Sequence, residues 1–474
     1  MAQVLFTHSY FLRFDPKQWR AQQPFPPLAT LFAASKLRSE DISVALFDTM
    51  FSESANEISA ALDEHEPQIL AIYDDGFNYL TKMCLTNMRE AAFEMIQIAK
   101  ERGMKVLVSS SDSTDHSIDY LNKGADFVIS GEGEQTLLEA ARAILSSNND
   151  FSAIDGLRYL VNGQEQRNKP RANLKELDTL PLPAWDLVQM DEYRDRWMKS
   201  SGYFSLNMGT TRGCPFKCNW CAKPIYGNRY NSRSPENVVK ELKMLKENYA
   251  FDHIWFCDDI FGLKPGWVST FADLVHAEGI SFKFKIQSRA DLLLQEDNVA
   301  ALARAGADEI WIGAESGSQK ILDAMDKGTM VEQIEEATRM MKSHGIKPCF
   351  FLQFGYPGET MADIKATLDM VFTLMPHDIG VSVSYPLPGT KFYEDVKSQL
   401  TEKQNWTDSD ELLVMFESTY PSEFYKKLQR YLHHEFRKQQ AIEGLKQGDL
   451  KKAGALLYRI PQTILSKAQI AKYD

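Results

Sequence analysis

The sequence predicts an α/β protein in which a doubly wound parallel sheet is followed by a partial (β/α)6 barrel and a helical tail. Three observations carry this. Five short apolar runs, each followed by a stretch of helical period, fill residues 1–150. Six more such units fill residues 201–400, and the stretch between the two series, residues 151–200, shows neither pattern. Residues 401–474 read as helical and charged. Near-continuous apolar strands alternating with helices are the mark of parallel sheets covered on both faces.

In the first series the strands are expected over residues 4–7, 42–47, 69–73, 106–109 and 127–130, with helices from Pro27, Ala55, Lys82, Asp115 and Gly133. Ligands on such sheets lie beyond the C-terminal ends of the strands, near the point where strand order reverses. Small and polar residues stand at those ends: Ser109, Ser110 and Ser111 after the fourth strand, and Gly131, Glu132, Gly133 and Glu134 after the fifth.

Residues 157–161 and 164–167 flank Asn162-Gly163, a type I′ hairpin signal. Leu180-Pro-Leu-Pro183 then forms a stiff connector, so 151–200 reads as a linker containing a hairpin. The second series has strands expected over 204–209, 254–257, 282–287, 309–313, 349–354 and 380–384. One of its helices opens with Ser234 and Pro235, a capping residue followed by a favoured first helical position. A barrel built this way does its chemistry at the strands' C-terminal ends. The tail carries Leu, Phe and Tyr on one face, the pattern of a packing helix pair.

At 474 residues the chain is too long for a single ordinary core, and 44% hydrophobic residues suffice for packed globular units. Its net charge of −12 disfavours a nucleic-acid partner, because phosphate binding needs clustered Lys and Arg. No signal-like start and no apolar run of spanning length is present, so a cytoplasmic protein without a membrane span is expected. Three of the six cysteines crowd into eight residues, which in a reducing compartment points to metal or redox chemistry.

Those three are in Cys214-Pro-Phe-Lys-Cys218-Asn-Trp-Cys221, directly after the first barrel strand. Cysteines at this spacing would share one helix face and could be three small buried side chains. Gly213 and Pro215 argue otherwise, since they bracket Cys214 and prevent a continuous helix. A structural zinc site needs four ligands, and the next histidine is His253. Three thiolates suit a 4Fe–4S cluster whose fourth iron is open to a non-protein ligand.

This loop resembles the signature of the radical S-adenosylmethionine superfamily, C-x3-C-x2-C with an aromatic residue, here Trp220, before the last cysteine. The resemblance implies that Cys214, Cys218 and Cys221 hold the cluster, and that S-adenosylmethionine binds its open iron and is cleaved to a 5′-deoxyadenosyl radical. It implies an external one-electron reductant of flavodoxin or ferredoxin type. Later strand ends resemble the superfamily's cofactor-holding segments. Asp258 and Asp259 are placed to meet the methionine ammonium, Arg289 its carboxylate, Glu315 and Ser316 the ribose, and Gly355 the adenine side.

The similarity extends over nearly the whole chain, most strongly over residues 26–393, to the branch with an N-terminal cobalamin-binding domain of Rossmann-like fold. The matching segments open at Pro26-Pro27-Leu28, run from Gly124 through Gly131-Glu132-Gly133-Glu134, and include Leu177 to Asp186. Cobalamin is therefore implied as a third cofactor, with Ser109, Ser110, Ser111, Gly131, Glu132 and Gly133 around it. The sequence departs from the mutase-type pattern in having no D-x-H-x-x-G loop: His8 lacks the Asp two residues before it, and His116 directly follows Asp115. That leaves water, no ligand or another side chain below the cobalt.

The function these cofactors imply is methyl transfer to an unactivated carbon of a small-molecule substrate. Cyclisation or rearrangement without methyl transfer needs the same loops and differs only in the substrate pocket. Methylthiolation of tRNA would call for more N-terminal cysteines than Cys84 and a basic RNA module. A cobalamin or electron carrier would make the cofactor-holding strand ends coincidental.

Overall fold

A computed structural model describes residues 2–295, 297–400 and 403–473; Thr401, where the tail was expected to begin, lies outside them. The first sheet has seven strands: β1 (Val4–Thr7), β2 (Val44–Phe47), β3 (Ile69–Tyr73), β4 (Lys105–Ser109), β5 (Phe127–Ile129), β6 (Leu157–Val161) and β7 (Gln164–Arg167). Their order is β2-β1-β3-β4-β5-β6-β7. The first five pair in parallel. Strand order reverses between β1 and β3, the switch point of a doubly wound sheet.

The hairpin departs from its reading as part of a linker. β6 pairs antiparallel with β5, so β6 and β7 extend the first sheet. Asn162 and Gly163 sit at φ 52° and 79°, the left-handed values that a type I′ turn demands. Two helices also start where the sequence did not place them. Cys84 at φ 55° interrupts the stretch around Lys82, and the long helix runs Thr86–Glu101. Ser110 and Ser113 cap each other through backbone N–H groups, so a helix, Ser111–Asp115, begins directly at the end of β4.

The remaining strands are β8 (Ser205–Met208), β9 (Thr211–Arg212), β10 (Asn231–Ser232), β11 (His253–Phe256), β12 (Lys283–Ser288), β13 (Ala307–Glu315), β14 (Lys347–Phe354) and β15 (Asp378–Val383). β9 and β10 form a small antiparallel ribbon. The other six make one sheet in sequential order, the arrangement of a partial (β/α)6 barrel. Ser234 caps the helix Pro235–Tyr249 by accepting from the N–H of Asn237 at 3.0 Å.

The chain divides into two compact units. The first comprises Met1–Pro215, Lys223–Phe284 and Asn405–Glu411; the second comprises Phe216–Ala222, Lys285–Gln404 and Leu412–Asp474. In the first unit Leu5, Leu70, Ile72, Val106 and Val108 of the sheet pack with Ile58, Met95, Ile96 and Tyr120 of the helices. Burying each such side chain contributes about 1.5–3 kcal/mol. The connector lies on the same unit: Ala184 N–H donates to Leu31 O, and Ser35 to Leu182 O. The second unit ends in two helices packed on each other, Ser422–Lys446 and Lys452–Ile470. The α/β class, the parallel sheets and the helical tail agree with the sequence reading.

Candidate active site

In the first unit, the strand-end residues of the first sheet gather around a narrow pocket. Tyr73, Asp74, Ser109, Ser110 and Ser111 line it together with Ile225 and Tyr226, which follow the cysteine loop. Ser109 O accepts from the Asp74 N–H at 2.9 Å, and Ser110 is occupied in its helix cap. The Ser111 hydroxyl is buried with no hydrogen-bond partner in the protein. A buried hydroxyl of that kind is costly unless a ligand or water satisfies it.

Beside this pocket lies a charged cluster that sequence reasoning did not anticipate. Arg212 donates to Glu132 at 3.1 Å and to Glu134 at 2.6 Å, all three side chains being almost fully buried. Leu174 N–H also donates to Glu132, and the Tyr226 ring lies 5.2 Å from the Arg212 guanidinium. Burial pushes the Glu132 carboxyl above its ordinary range, against the pull of Arg212. Gly131 sits at φ 77°, and a Cβ on Gly133 would stand 2.6 Å from the Tyr73 hydroxyl. The glycines of this turn therefore have steric reasons to be glycine.

Asp258 braces the approach to the first cysteine. Its carboxylate accepts from the N–H groups of Thr210 and Thr211 at 2.7 and 2.8 Å, and from the Thr210 hydroxyl. Burial raises its pKa to about 6 despite these donors. Asp259 is held by Lys82 at 2.5 Å. Gly213, at φ 77°, turns the chain into the cysteine loop; a Cβ there would meet Arg229 O at 2.4 Å.

In the second unit, Cys218 and Cys221 lie on a loop without regular secondary structure, and Cys221 N–H donates to Cys218 O. Asn219 anchors this loop. Its N–H and side-chain amide donate to Met325 O and Ala324 O, its side-chain carbonyl accepts from Tyr356, and its backbone carbonyl accepts from Phe392 N–H. Arg289 directs its donors to Asp291, Lys327 O and Gly328 O, and its guanidinium stacks 3.8 Å above Phe216. Lys327 pairs with Glu315 at 2.8 Å and lies 6.0 Å from the Trp220 ring centre. Burial lowers the Lys327 pKa, but Glu315 and Cys218 more than offset this. The Trp220 indole N–H is buried without a partner.

Ser316 shares a hydrogen bond with Thr367 at 3.1 Å, and a Cβ on the adjoining Gly317 would meet Ala366 O at 2.4 Å. Gly355, at φ 76°, donates its N–H to Glu359 at 2.6 Å. Arg212, Lys327 and Asn219 are the residues missed from sequence. Arg212 precedes the cysteine loop by two residues, which was a usable signal. Lys327 sits in an Asp-Lys-Gly turn that looks like ordinary surface.

The six cysteines fall into two groups. Cys84, Cys257 and Cys349 are buried, and burial pushes their thiols up, keeping them protonated. Cys214, Cys218 and Cys221 are partly exposed. Among the described residues no three His, Cys, Asp or Glu side chains are close enough to share one metal ion. Cluster thiolates bind separate irons and need not converge on one point.

Residues 208–371, which contain this loop and every barrel strand end except the last, match the family model of the radical SAM superfamily. The chain carries a radical SAM domain. An uncharacterized methyltransferase of Pyrococcus horikoshii is 28% identical over 80% of this chain and 81% of its own length. An anaerobic magnesium-protoporphyrin IX monomethyl ester cyclase of Synechocystis is 25% identical over 69% of this chain and 64% of its own length. The fold is similar to that of a radical S-adenosylmethionine methyltransferase from Kitasatospora setae, solved with cobalamin and a [4Fe–4S] cluster bound. The TM-score is 0.69 at 19% identity, over 84% of this chain and 75% of that one.

Proposed function

We propose that this chain is a cobalamin-dependent radical S-adenosylmethionine enzyme that transfers a methyl group to an unactivated carbon of a small molecule. The observation that carries the reading is the partition of its thiols: three partly exposed on an irregular loop at a barrel strand end, and three buried elsewhere. Cys214, Cys218 and Cys221 would hold a 4Fe–4S cluster. When bound, the cluster with S-adenosylmethionine supplies a carbon radical, and cobalamin supplies a transferable methyl group.

The chain's own groups bind and orient. Trp220, Glu315, Ser316 and Gly355 are assigned to S-adenosylmethionine. Arg289, which stacks on Phe216, and Asp258 and Asp259 are assigned to its methionine end. Ser109, Ser110, Ser111, Gly131, Glu132 and Gly133 are assigned to cobalamin, and the unpartnered Ser111 hydroxyl in the pocket lining fits a polar edge of such a ligand. The electron comes from an external flavodoxin or ferredoxin in the cytoplasm. Among the described residues no helix is long and apolar enough to cross a membrane.

Cyclisation is the second reading, favoured by the Synechocystis relative. Anaerobic incubation of reconstituted protein with trideuteromethyl-labelled S-adenosylmethionine, reductant and a metabolite extract separates the two. A product carrying the labelled methyl supports the first reading. Formation of 5′-deoxyadenosine with an unlabelled, altered product supports cyclisation. Absence of any cleavage of S-adenosylmethionine refutes both.

A further inference from the structure

The second tail helix, Lys452–Ile470, faces the wrong way for a helix that only packs. Thr463 and Ser466 are on its buried side, where their hydroxyls donate to Arg459 O and Gln462 O of the same helix. Its large apolar side chains point outward: Leu457 is 79% exposed, Leu465 65%, Ile464 63% and Tyr458 63%, with Leu450 at 81% just before the helix. Among the described residues every large apolar side chain that is more than half exposed lies between 450 and 465. Scattered exposed apolar residues need no explanation, but a contiguous set does.

Helical spacing puts Leu457, Ile460, Ile464 and Ala468 in one strip, with Tyr458 and Leu465 beside it and Lys451 and Lys467 at its borders. Residues 450–473 contain Lys451, Lys452, Arg459, Lys467 and Lys472 and no Asp or Glu, in a chain of net charge −12. An apolar strip edged by cations alone, too short of hydropathy to span a bilayer, is the make-up of a helix lying in the membrane interface.

We infer that this face docks on an anionic lipid surface, with the strip at the level of the headgroups and the lysines against lipid phosphates. Charge decides against a second copy of the chain as the occupant. A two-fold contact brings the same patch onto itself, and here that sets cations against cations with no carboxylate on the segment to answer them. The inference is independent of the chemistry proposed for the barrel.

The test is co-sedimentation of the full chain with vesicles of phosphatidylcholine alone and of phosphatidylcholine containing about a third phosphatidylglycerol. The expected result is binding to the anionic vesicles that weakens with salt. It should fall about tenfold or more in the Leu457→Glu/Ile464→Glu protein and more modestly in Lys451→Gln/Lys467→Gln. All four positions are exposed, so the variants should melt with the unaltered chain. Equal pelleting of the unaltered and Glu-substituted proteins would overturn the inference, as would no pelleting of either. So would a dimer in sedimentation velocity that Leu457→Glu/Ile464→Glu dissociates without any vesicle binding.

Discussion

Lys327 donates to Glu315 across 2.8 Å with both side chains more than nine-tenths buried, and the backbone is bent to allow it. Glu315 sits at φ 55°, a left-handed value that costs a residue with a side chain roughly 1–2 kcal/mol. The pairing register between β13 and β14 shifts between Gly313 and Glu315, and a Cβ on Gly313 would collide with both charged groups. An irregularity that re-aims one side chain at a strand end is characteristic of functional positions.

Glu315→Gln should therefore weaken S-adenosylmethionine binding about tenfold or more, while iron and cobalamin content stay normal. The same change leaves Lys327 buried against a neutral amide and should cost about 1–3 kcal/mol of stability. Adding Lys327→Met should restore the melting temperature without restoring affinity. Calorimetric titration beside thermal melts checks both. Recovery of binding in the double variant would show that Glu315 acts only as a structural partner.

Replacing Cys214, Cys218 or Cys221 by Ala should abolish cluster absorbance and S-adenosylmethionine cleavage, because each removal leaves an iron without its protein anchor. Alanine at Cys84, Cys257 or Cys349 should leave iron content unchanged, since those thiols are buried and protonated. Iron and sulfide assays after anaerobic reconstitution give the answer. Full cluster content in Cys218→Ala would refute the assignment.

Cobalamin should bind with its own dimethylbenzimidazole tail displaced and without a protein histidine on cobalt. His8, at the end of β1, is buried and held by Asp48 at 2.8 Å and Thr49 at 3.1 Å. Electron paramagnetic resonance of the cobalt(II) form should show no nitrogen hyperfine splitting. Ser111→Trp should expel cobalamin by filling the pocket, yet leave uncoupled formation of 5′-deoxyadenosine. Nitrogen splitting, or full cobalamin retention in Ser111→Trp, would count against the site.

Glu359 should make stability fall as pH rises. Burial, helped by the nearby Asp363 carboxylate, raises its pKa to about 8 against the opposing pull of the Gly355 N–H and Lys320. The folded state therefore holds a proton that the unfolded chain releases near pH 4.5, and the stabilisation is lost as pH climbs from there through about 8. Glu359→Gln keeps an acceptor for Gly355 without the charge. Its stability should exceed that of the unaltered chain by on the order of a few kcal/mol above pH 8 and converge with it near pH 5. Parallel slopes in urea titrations across that range would be the contrary result.

Much of this arrangement was legible from local pattern. All eleven expected parallel strands lie within about two residues of their observed bounds at both ends, because an apolar run between polar breaks states its own extent. β13 alone begins and ends two residues beyond its apolar heart on each side, and ends at the strained Glu315. The three cysteines stand out by their spacing together with Gly213 and Pro215, which prevent a continuous helix across Cys214.

The sequence by itself determined the βα series, the turn at Asn162-Gly163 and the identity of the thiol trio, since each depends on residues a few positions apart. Tertiary structure alone decided what those pieces meet. It put β6 and β7 on the first sheet, set Arg212 between Glu132 and Glu134, and brought Lys327 to Glu315. Such partners are joined by closure of the chain over long separations, and nothing in local periodicity records which charge will find which. The tail shows the same limit: its helical period was visible, but whether the apolar side faced inward depended on the neighbour. The first tail helix buries Phe424, Leu428 and Leu432. The second turns Thr463 and Ser466 inward and leaves Leu457 and Ile464 to solvent, because a hydrophobic stripe specifies a face and not its partner.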